Sequence, residues 1–178
     1  MLASFVCMFE FGRRGAGDLG LVIGRWIYVP LVLAAASGLW AGLPGLHATF
    51  RYALLFPGAL LAGAALLSGG LRSREGARWP KVLIGVSLLI YSFASGLVVP
   101  SSQLIPAVLF NQNLFFDLTG IPIQIVRAVC ALLAAWGIWF DNREKYRRSA
   151  ASLGWFHSGV TPALFVILLG VGLLAVTW

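Results

Sequence analysis

The stretch that decides the fold class lies at residues 121–140 and reads IPIQIVRAVCALLAAWGIWF. A helix needs roughly 20 mainly apolar residues to cross the hydrocarbon core of a bilayer, and this stretch has that length. Its charged residue is Arg127, and Pro122 stands near its start, where a helix tolerates a missing backbone donor. The stretch therefore predicts a transmembrane helix.

Four further apolar runs surround this one, at residues 22–43, 52–68, 82–99 and 153–178. Over the whole chain 60% of residues are hydrophobic and 11% are charged, whereas soluble domains are about 45–50% apolar and roughly 25% charged. We expect an all-α integral membrane bundle of about five transmembrane helices, with residues 19–178 as a single transmembrane domain. Residues 1–18 lack the order of charges of a secretory signal and predict an N-terminal interfacial segment.

Positive charge is distributed unevenly between the runs. The chain has 13 lysines and arginines, including Arg51 and Arg127. All the others lie at or before the start of the first run, or in the loops after the second and fourth runs. Because cytoplasmic loops carry an excess of Lys and Arg, we predict a cytoplasmic N-terminus and an outer, periplasmic C-terminus in a bacterial inner membrane. The net charge of +7 is then a topology signal and does not indicate nucleic-acid binding.

Arg127 is the most informative polar residue, because an arginine about two turns inside a span costs at least a few kcal/mol. Gln124 precedes it by one helical turn on the same face, and Arg51 enters the second span from the same side. The candidate ligand-binding residues are Arg51, Asn111, Asn113, Asp117, Gln124 and Arg127. Two interpretations stay open: an outer-leaflet pocket for an anion, a quinone head group or a lipid, and an internal hydrogen-bonded clamp.

Catalysis and metal binding are not indicated. His47 belongs to a short outer link predicted at residues 44–47, and His157 lies near the inner start of the last run. The two histidines are thus predicted on opposite sides of the membrane, which disfavours a haem between them. Cys7 and Cys130 form neither a disulfide framework nor a thiolate metal site. The sequence has no phosphate loop and no nucleophile accompanied by a base and an acid at a credible spacing. We therefore expect a protein that is not an enzyme, with no metal and no cofactor.

Two stretches resemble a known kind of membrane region. Residues 118–128, LTGIPIQIVRA, preceded by Asn113 and Phe116, and residues 51–62, RYALLFPGALLA, are similar to the N-terminal multi-helix membrane sensor regions of bacterial histidine kinases and diguanylate cyclases. The resemblance covers roughly residues 50–148.

This resemblance implies a sensed ligand. It carries over Arg51, Pro57, Gln124 and Arg127 as the matched polar and kink positions. In those sensors a signalling or catalytic domain follows the membrane region, whereas this sequence ends at Trp178. We expect a sensor-like bundle that acts without an output domain of its own.

Two functions are consistent with these patterns. The leading hypothesis is a non-catalytic helical subunit of a larger inner-membrane complex, respiratory or photosynthetic, which stabilises the complex or shapes lipid and quinone access. Its partners would be membrane lipids, other membrane-protein subunits, and a quinone or pigment in contact with it. The small-residue motifs Gly58-x-x-x-Ala62 and Ala34-x-x-x-Gly38 permit close helix packing, inside the chain or against such a subunit. The alternative is a ligand-binding sensor module that acts on a separate signalling partner.

Overall fold

The computed structural model describes residues 2–73, 78–99 and 110–150. Within these ranges every regular element is helical, and a β-bridge joins Val99 to Asn111. The predicted all-α class is therefore confirmed for the described part of the chain. The predicted fifth span at 153–178, with His157, lies outside the described residues.

The α-helices differ widely in length. They are α1 (Leu2–Gly15), α2 (Tyr28–Ala36), α3 (Gly42–Phe50), α4 (Phe56–Arg72), α5 (Arg78–Tyr91), α6 (Gln112–Thr119) and α7 (Ile123–Ala150). Between or after them lie 3-10 turns at Ala16–Leu19, Arg25–Ile27 and Ser37–Ala41, and π-helical turns at Arg51–Leu55 and Ser92–Leu97. Three helical stretches of the described chain are long and apolar enough to cross a membrane: Arg25–Arg72, Arg78–Leu97 and Ile123–Arg143.

The first of these stretches turns back on itself at Gly42. This glycine has a φ of +70°, a left-handed conformation that costs glycine little. Beyond it α3 lies against the preceding arm, and the Thr49 hydroxyl donates a hydrogen bond to the carbonyl of Ala35 at 2.7 Å. The link expected at residues 44–47 is helical instead, because Pro44 falls in the first turn of α3, where backbone N–H groups have no intrahelical partner.

α1 packs lengthwise along α4 and runs in the same direction. At one end the Phe5 ring lies 6.1 Å from the His47 ring, and at the other the Arg72 guanidinium donates to the carbonyl of Asp18 at 3.4 Å. Between them a Cβ on Gly58 would meet the Phe9 backbone at 2.6 Å, so the two helices approach too closely for a side chain. α1 thus belongs to the bundle, and the interfacial position expected for residues 1–18 stays a prediction.

α5 lies between α4 and α7. A Cβ on Gly85 would meet the backbone nitrogen of Leu67 on α4 at 2.7 Å, and one on Gly137 of α7 would meet the Ile84 side chain at 2.6 Å. The small residues expected to permit close packing are used within the chain, since Gly58 and Ala62 are both buried. α7 packs mainly on α5, and apolar side chains such as Trp136 stay exposed among the described residues.

Candidate functional site

The site lies where the second membrane-length stretch, Arg78–Leu97, ends. α5 continues into the π-helical turn Ser92–Leu97, and Val98 after it is extended. The last carbonyls of a helix have no intrahelical partner and carry the negative end of its dipole. A group of carbonyl oxygens is therefore available here for cationic donors.

Arg127 of α7 uses two of these carbonyls. Its Nε donates to the carbonyl of Ala94 at 2.9 Å, and its Nη2 donates to the carbonyl of Val98 at 2.5 Å. The arginine predicted to need a partner inside a span thus finds it in the backbone of the neighbouring helix. This contact fixes α7 against the end of α5.

Arg51 reaches the same helix end from the opposite side. It lies in the first π-helical turn, and its Nη1 donates to the carbonyl of Ser95 at 3.3 Å. The guanidinium charges of Arg51 and Arg127 are close enough to repel each other. In the described part of the chain the ion pairs are those of Glu10 with Arg13 and Arg14, so no carboxylate there neutralises either arginine.

The two π-helical turns face each other at this level. The Ser92 hydroxyl donates to the carbonyl of Phe56 at 2.9 Å, and a Cβ on Gly96 would meet the Phe56 backbone at 2.8 Å. π-Helical turns are rare and occur mostly as single-turn bulges, frequently at functional sites. Here they bring the backbone of the first and second stretches together and direct Arg51 toward the end of α5.

Within the described part of the chain, three buried side-chain atoms around the two arginines have no hydrogen-bond partner. They are the Nε of Arg51, the Nε2 of His47 and the hydroxyl of Tyr52. His47 is within electrostatic reach of both arginines, and Tyr52 packs against Val99 beside the helix end. A buried polar group without a partner costs about 1–3 kcal/mol. We call Arg51, Arg127, His47, Tyr52 and the three carbonyls the arginine site.

The structure brings Arg51 and Arg127 to the same helix end, and it places the other candidate residues differently. Asn111 lies next to the site, since it bridges to Val99 and caps α6 by accepting from the backbone nitrogen of Leu114 at 2.8 Å. Asn113, Asp117 and Gln124 are exposed.

Sequence reasoning missed the side chains of His47 and Tyr52, and it did not identify which backbone carbonyls accept hydrogen bonds from the arginines. His47 was assigned to an outer loop, yet it lies one helical turn before Arg51 on a continuous helical stretch. The π-helical turns that aim the arginines have no signal in the sequence.

The arrangement offers donors and positive charge to an acceptor oxygen. The described residues contain no group of three or more His, Cys, Asp or Glu side chains able to hold a metal ion. No protein-family model, curated protein or solved structure matches the chain.

Proposed function

We propose that this chain is a non-catalytic, ligand-binding membrane module, and that the arginine site binds a small group rich in acceptor oxygens. The observation that carries the proposal concerns the described residues: none of their carboxylates pairs with Arg51 or Arg127, and three buried polar atoms of the site have no hydrogen-bond partner among them. A carboxylate, a phosphate or a quinone carbonyl would accept hydrogen bonds from the Nε of Arg51 and the hydroxyl of Tyr52.

The clamp contacts and the ligand site are compatible in this proposal. Arg127 donates its Nε and Nη2 to the carbonyls of Ala94 and Val98, whereas Arg51 donates one nitrogen to Ser95, and its buried Nε has no hydrogen-bond partner among the described residues. A ligand that binds Arg51 would therefore act on the contact between the first and second membrane-length stretches. That coupling is what a sensor acting on a separate signalling partner requires.

The finer topology belongs to the same proposal. We infer five spans, with the loops around Arg78 and after Arg143 on the cytoplasmic side of a bacterial inner membrane and the arginine site toward the outer side. The uneven distribution of Lys and Arg supports this orientation. The lengthwise packing of α1 on α4 favours placing the start of α1 at the arginine-site end, opposite Arg72. With that end on the outer side, the proposal departs from the cytoplasmic N-terminus that the charges predict. Alkaline phosphatase fusions after residues 44 and 76 would test the orientation.

A role as subunit of a larger respiratory or photosynthetic complex is the second candidate. The apolar side chains that α7 leaves exposed in the described chain favour it. The motif Gly58-x-x-x-Ala62 does not favour it, because both residues are buried within the chain, and of the other motif Gly38 is buried while Ala34 is exposed. We therefore place the ligand-binding function first.

A thermal-shift titration in detergent tests the proposal. The probes are sodium benzoate as a carboxylate, inorganic phosphate, and ubiquinone-1 as a quinone. A probe at about 100 times its Kd stabilises the folded protein by roughly 2.7 kcal/mol, which raises Tm by roughly 5–10 °C for a chain of this size. We expect at least one probe to do so for the wild type.

The variants decide whether the response comes from the arginine site. Arg51→Gln should abolish the shift, and Arg78→Gln, which removes a cation at the other end of α5, should retain it. If none of the three probes shifts Tm, or if Arg51→Gln responds like the wild type, the proposal is wrong.

A further inference from the structure

An apolar groove lies at the opposite end of α5 from the arginine site. It has a volume of about 550 Å³ and is lined by Leu71 of α4 and by Arg78, Trp79, Val82, Leu83 and Val86 of α5. This volume falls within the roughly 300–1,000 Å³ of sites that bind small molecules. At about 1.5 Å of rise per residue, Arg78 and Ser95 are roughly 25 Å apart along the helix, so the two sites do not share residues.

The lining of the groove separates charge from apolar surface. Arg78 is its charged residue and lies at the first position of α5, whereas Val82 and Val86 follow it on successive turns of the helix. Arg78 therefore lies at one end of the apolar surface that Val82 and Val86 form along the helix. No acidic side chain lines the groove within the described residues.

Trp79 forms a fixed wall of this groove. Its ring packs edge-on against Phe140 of α7 at a centroid distance of 4.8 Å, while half of its surface stays exposed. A tryptophan with one apolar face packed and one end accessible is typical of the level of lipid head groups. Arg72 and Lys81 lie near Arg78 in sequence and add positive charge to this end of the two helices.

We propose that this groove binds one anionic phospholipid, with its head-group phosphate on Arg78 and an acyl chain along Val82 and Val86. Charge complementarity selects this occupant, because an apolar strip alone would accept any lipid chain, whereas the guanidinium at its end favours a net negative head group. This groove shares no residues with the proposed arginine site. Lipid binding here is therefore expected even if the arginine site binds no ligand.

Lipid titration of the delipidated full chain, followed by native mass spectrometry, tests this proposal. The probes are dioleoylphosphatidylglycerol, which carries a net negative charge, dioleoylphosphatidylcholine, which is neutral overall, and glycerol phosphate, which has the anionic group without chains. One basic residue near a charged lipid surface contributes a factor of roughly five in affinity. We expect one phosphatidylglycerol to bind at least about fivefold more tightly than phosphatidylcholine, and glycerol phosphate not to bind.

Matched variants separate this groove from the remaining basic surface. Arg78→Gln should weaken phosphatidylglycerol binding about fivefold and remove the preference over phosphatidylcholine. Arg25→Gln is the control, because Arg25-Trp26 repeats the Arg-Trp pair at the start of another apolar stretch but does not line the groove. Val86→Trp, at an exposed position, fills the groove without disturbing the core and should weaken both lipids. Circular dichroism confirms that each variant is folded.

Three outcomes would overturn the proposal. Equal affinity for the two phospholipids would show that Arg78 selects nothing, and unaltered binding by Val86→Trp would place the lipid elsewhere. Binding of glycerol phosphate as tight as that of phosphatidylglycerol would make this a free-anion site. Arg51→Gln should leave the titration unchanged, so failure here and failure at the arginine site are distinguishable.

Discussion

Replacing Arg127 with glutamine should destabilise the fold, because it removes the contact that joins α7 to the end of α5. The guanidinium makes two hydrogen bonds to backbone carbonyls, at 2.9 Å to Ala94 and 2.5 Å to Val98. Each hydrogen bond from a charged donor contributes roughly 1.5–3 kcal/mol, so the two together contribute roughly 3–6 kcal/mol.

Several effects reduce the net loss below that sum. Glutamine recovers about one hydrogen bond, the cost of burying a guanidinium disappears, and repulsion from Arg51 is relieved. We expect the free energy of unfolding to fall by about 2 kcal/mol for Arg127→Gln. Arg127→Lys keeps the charge at the negative end of the helix dipole and about one bond, so its loss should be about half as large.

The assay is reversible unfolding in mixed micelles, followed by circular dichroism as the denaturing detergent is increased. Arg143→Gln is the control on the same helix, because Arg143 is exposed and makes a cation–π contact with Trp139 at 5.3 Å, a contact that contributes roughly 0.5–1 kcal/mol at an exposed position. If Arg127→Gln costs no more than Arg143→Gln, the clamp does not stabilise the bundle and the reasoning fails.

Three further changes probe the packing and electrostatics of α1 and α4. Gly58→Leu should lower the free energy of unfolding by roughly 1–3 kcal/mol, since its Cβ would meet the Phe9 backbone at 2.6 Å; an unchanged denaturation midpoint would rule out this helix crossing. Gly69→Ala, on the same helix with nothing within 4 Å of its Cβ, should instead raise stability by up to about 1 kcal/mol in the same titration. Hydrogen bonds from Arg13 hold the pKa of Glu10 well below its usual range, so Glu10→Gln should destabilise the protein above the ordinary carboxyl pKa of about 4.3. That difference should narrow as the pH falls toward the lowered pKa of Glu10, and stability profiles of both proteins that stay parallel in acid would contradict this assignment.

The convergence of Arg51 and Arg127 could be predicted from the sequence, because a cation in an apolar run must find a partner and both lie toward the same ends of their runs. The carbonyls that accept their hydrogen bonds could not be identified from the sequence. The carbonyls of Ala94, Ser95 and Val98 become available through a π-helical turn, whose hydrogen-bond shift depends on packing against Phe56 and leaves no pattern in the residue order.

The positions of Gln124, Asn113 and Asp117 show a different limit of prediction from the sequence. Periodicity places Gln124 one turn from Arg127, but it cannot say which way the helix is rotated. α7 packs mainly on α5, so Arg127 points to that neighbour while Gln124 is exposed. Asn113 and Asp117 lie on the short amphipathic helix α6 and are exposed as well.

The turn at Gly42 was misplaced for a local reason. Pro44 and Gly45 resemble a loop by composition, yet a proline in the first turn of a helix lacks only a donor that has no partner there. The positive φ of Gly42 marks the actual reversal, and with it His47 joins a helical stretch beside Arg51.

Native mass spectrometry of the tagged chain, purified in mild detergent from its own membranes, tests the central claim most directly. We predict that a quinone, a carboxylate or another small molecule rich in acceptor oxygens, other than the phospholipid proposed at the Arg78 groove, stays bound to the wild type. It should be absent from Arg51→Gln, while a folded Arg14→Gln control keeps it. Recovery without any such molecule, or its equal retention by Arg51→Gln, would contradict a ligand at the arginine site. Stoichiometric recovery with a redox or photosynthetic complex would support the subunit function instead.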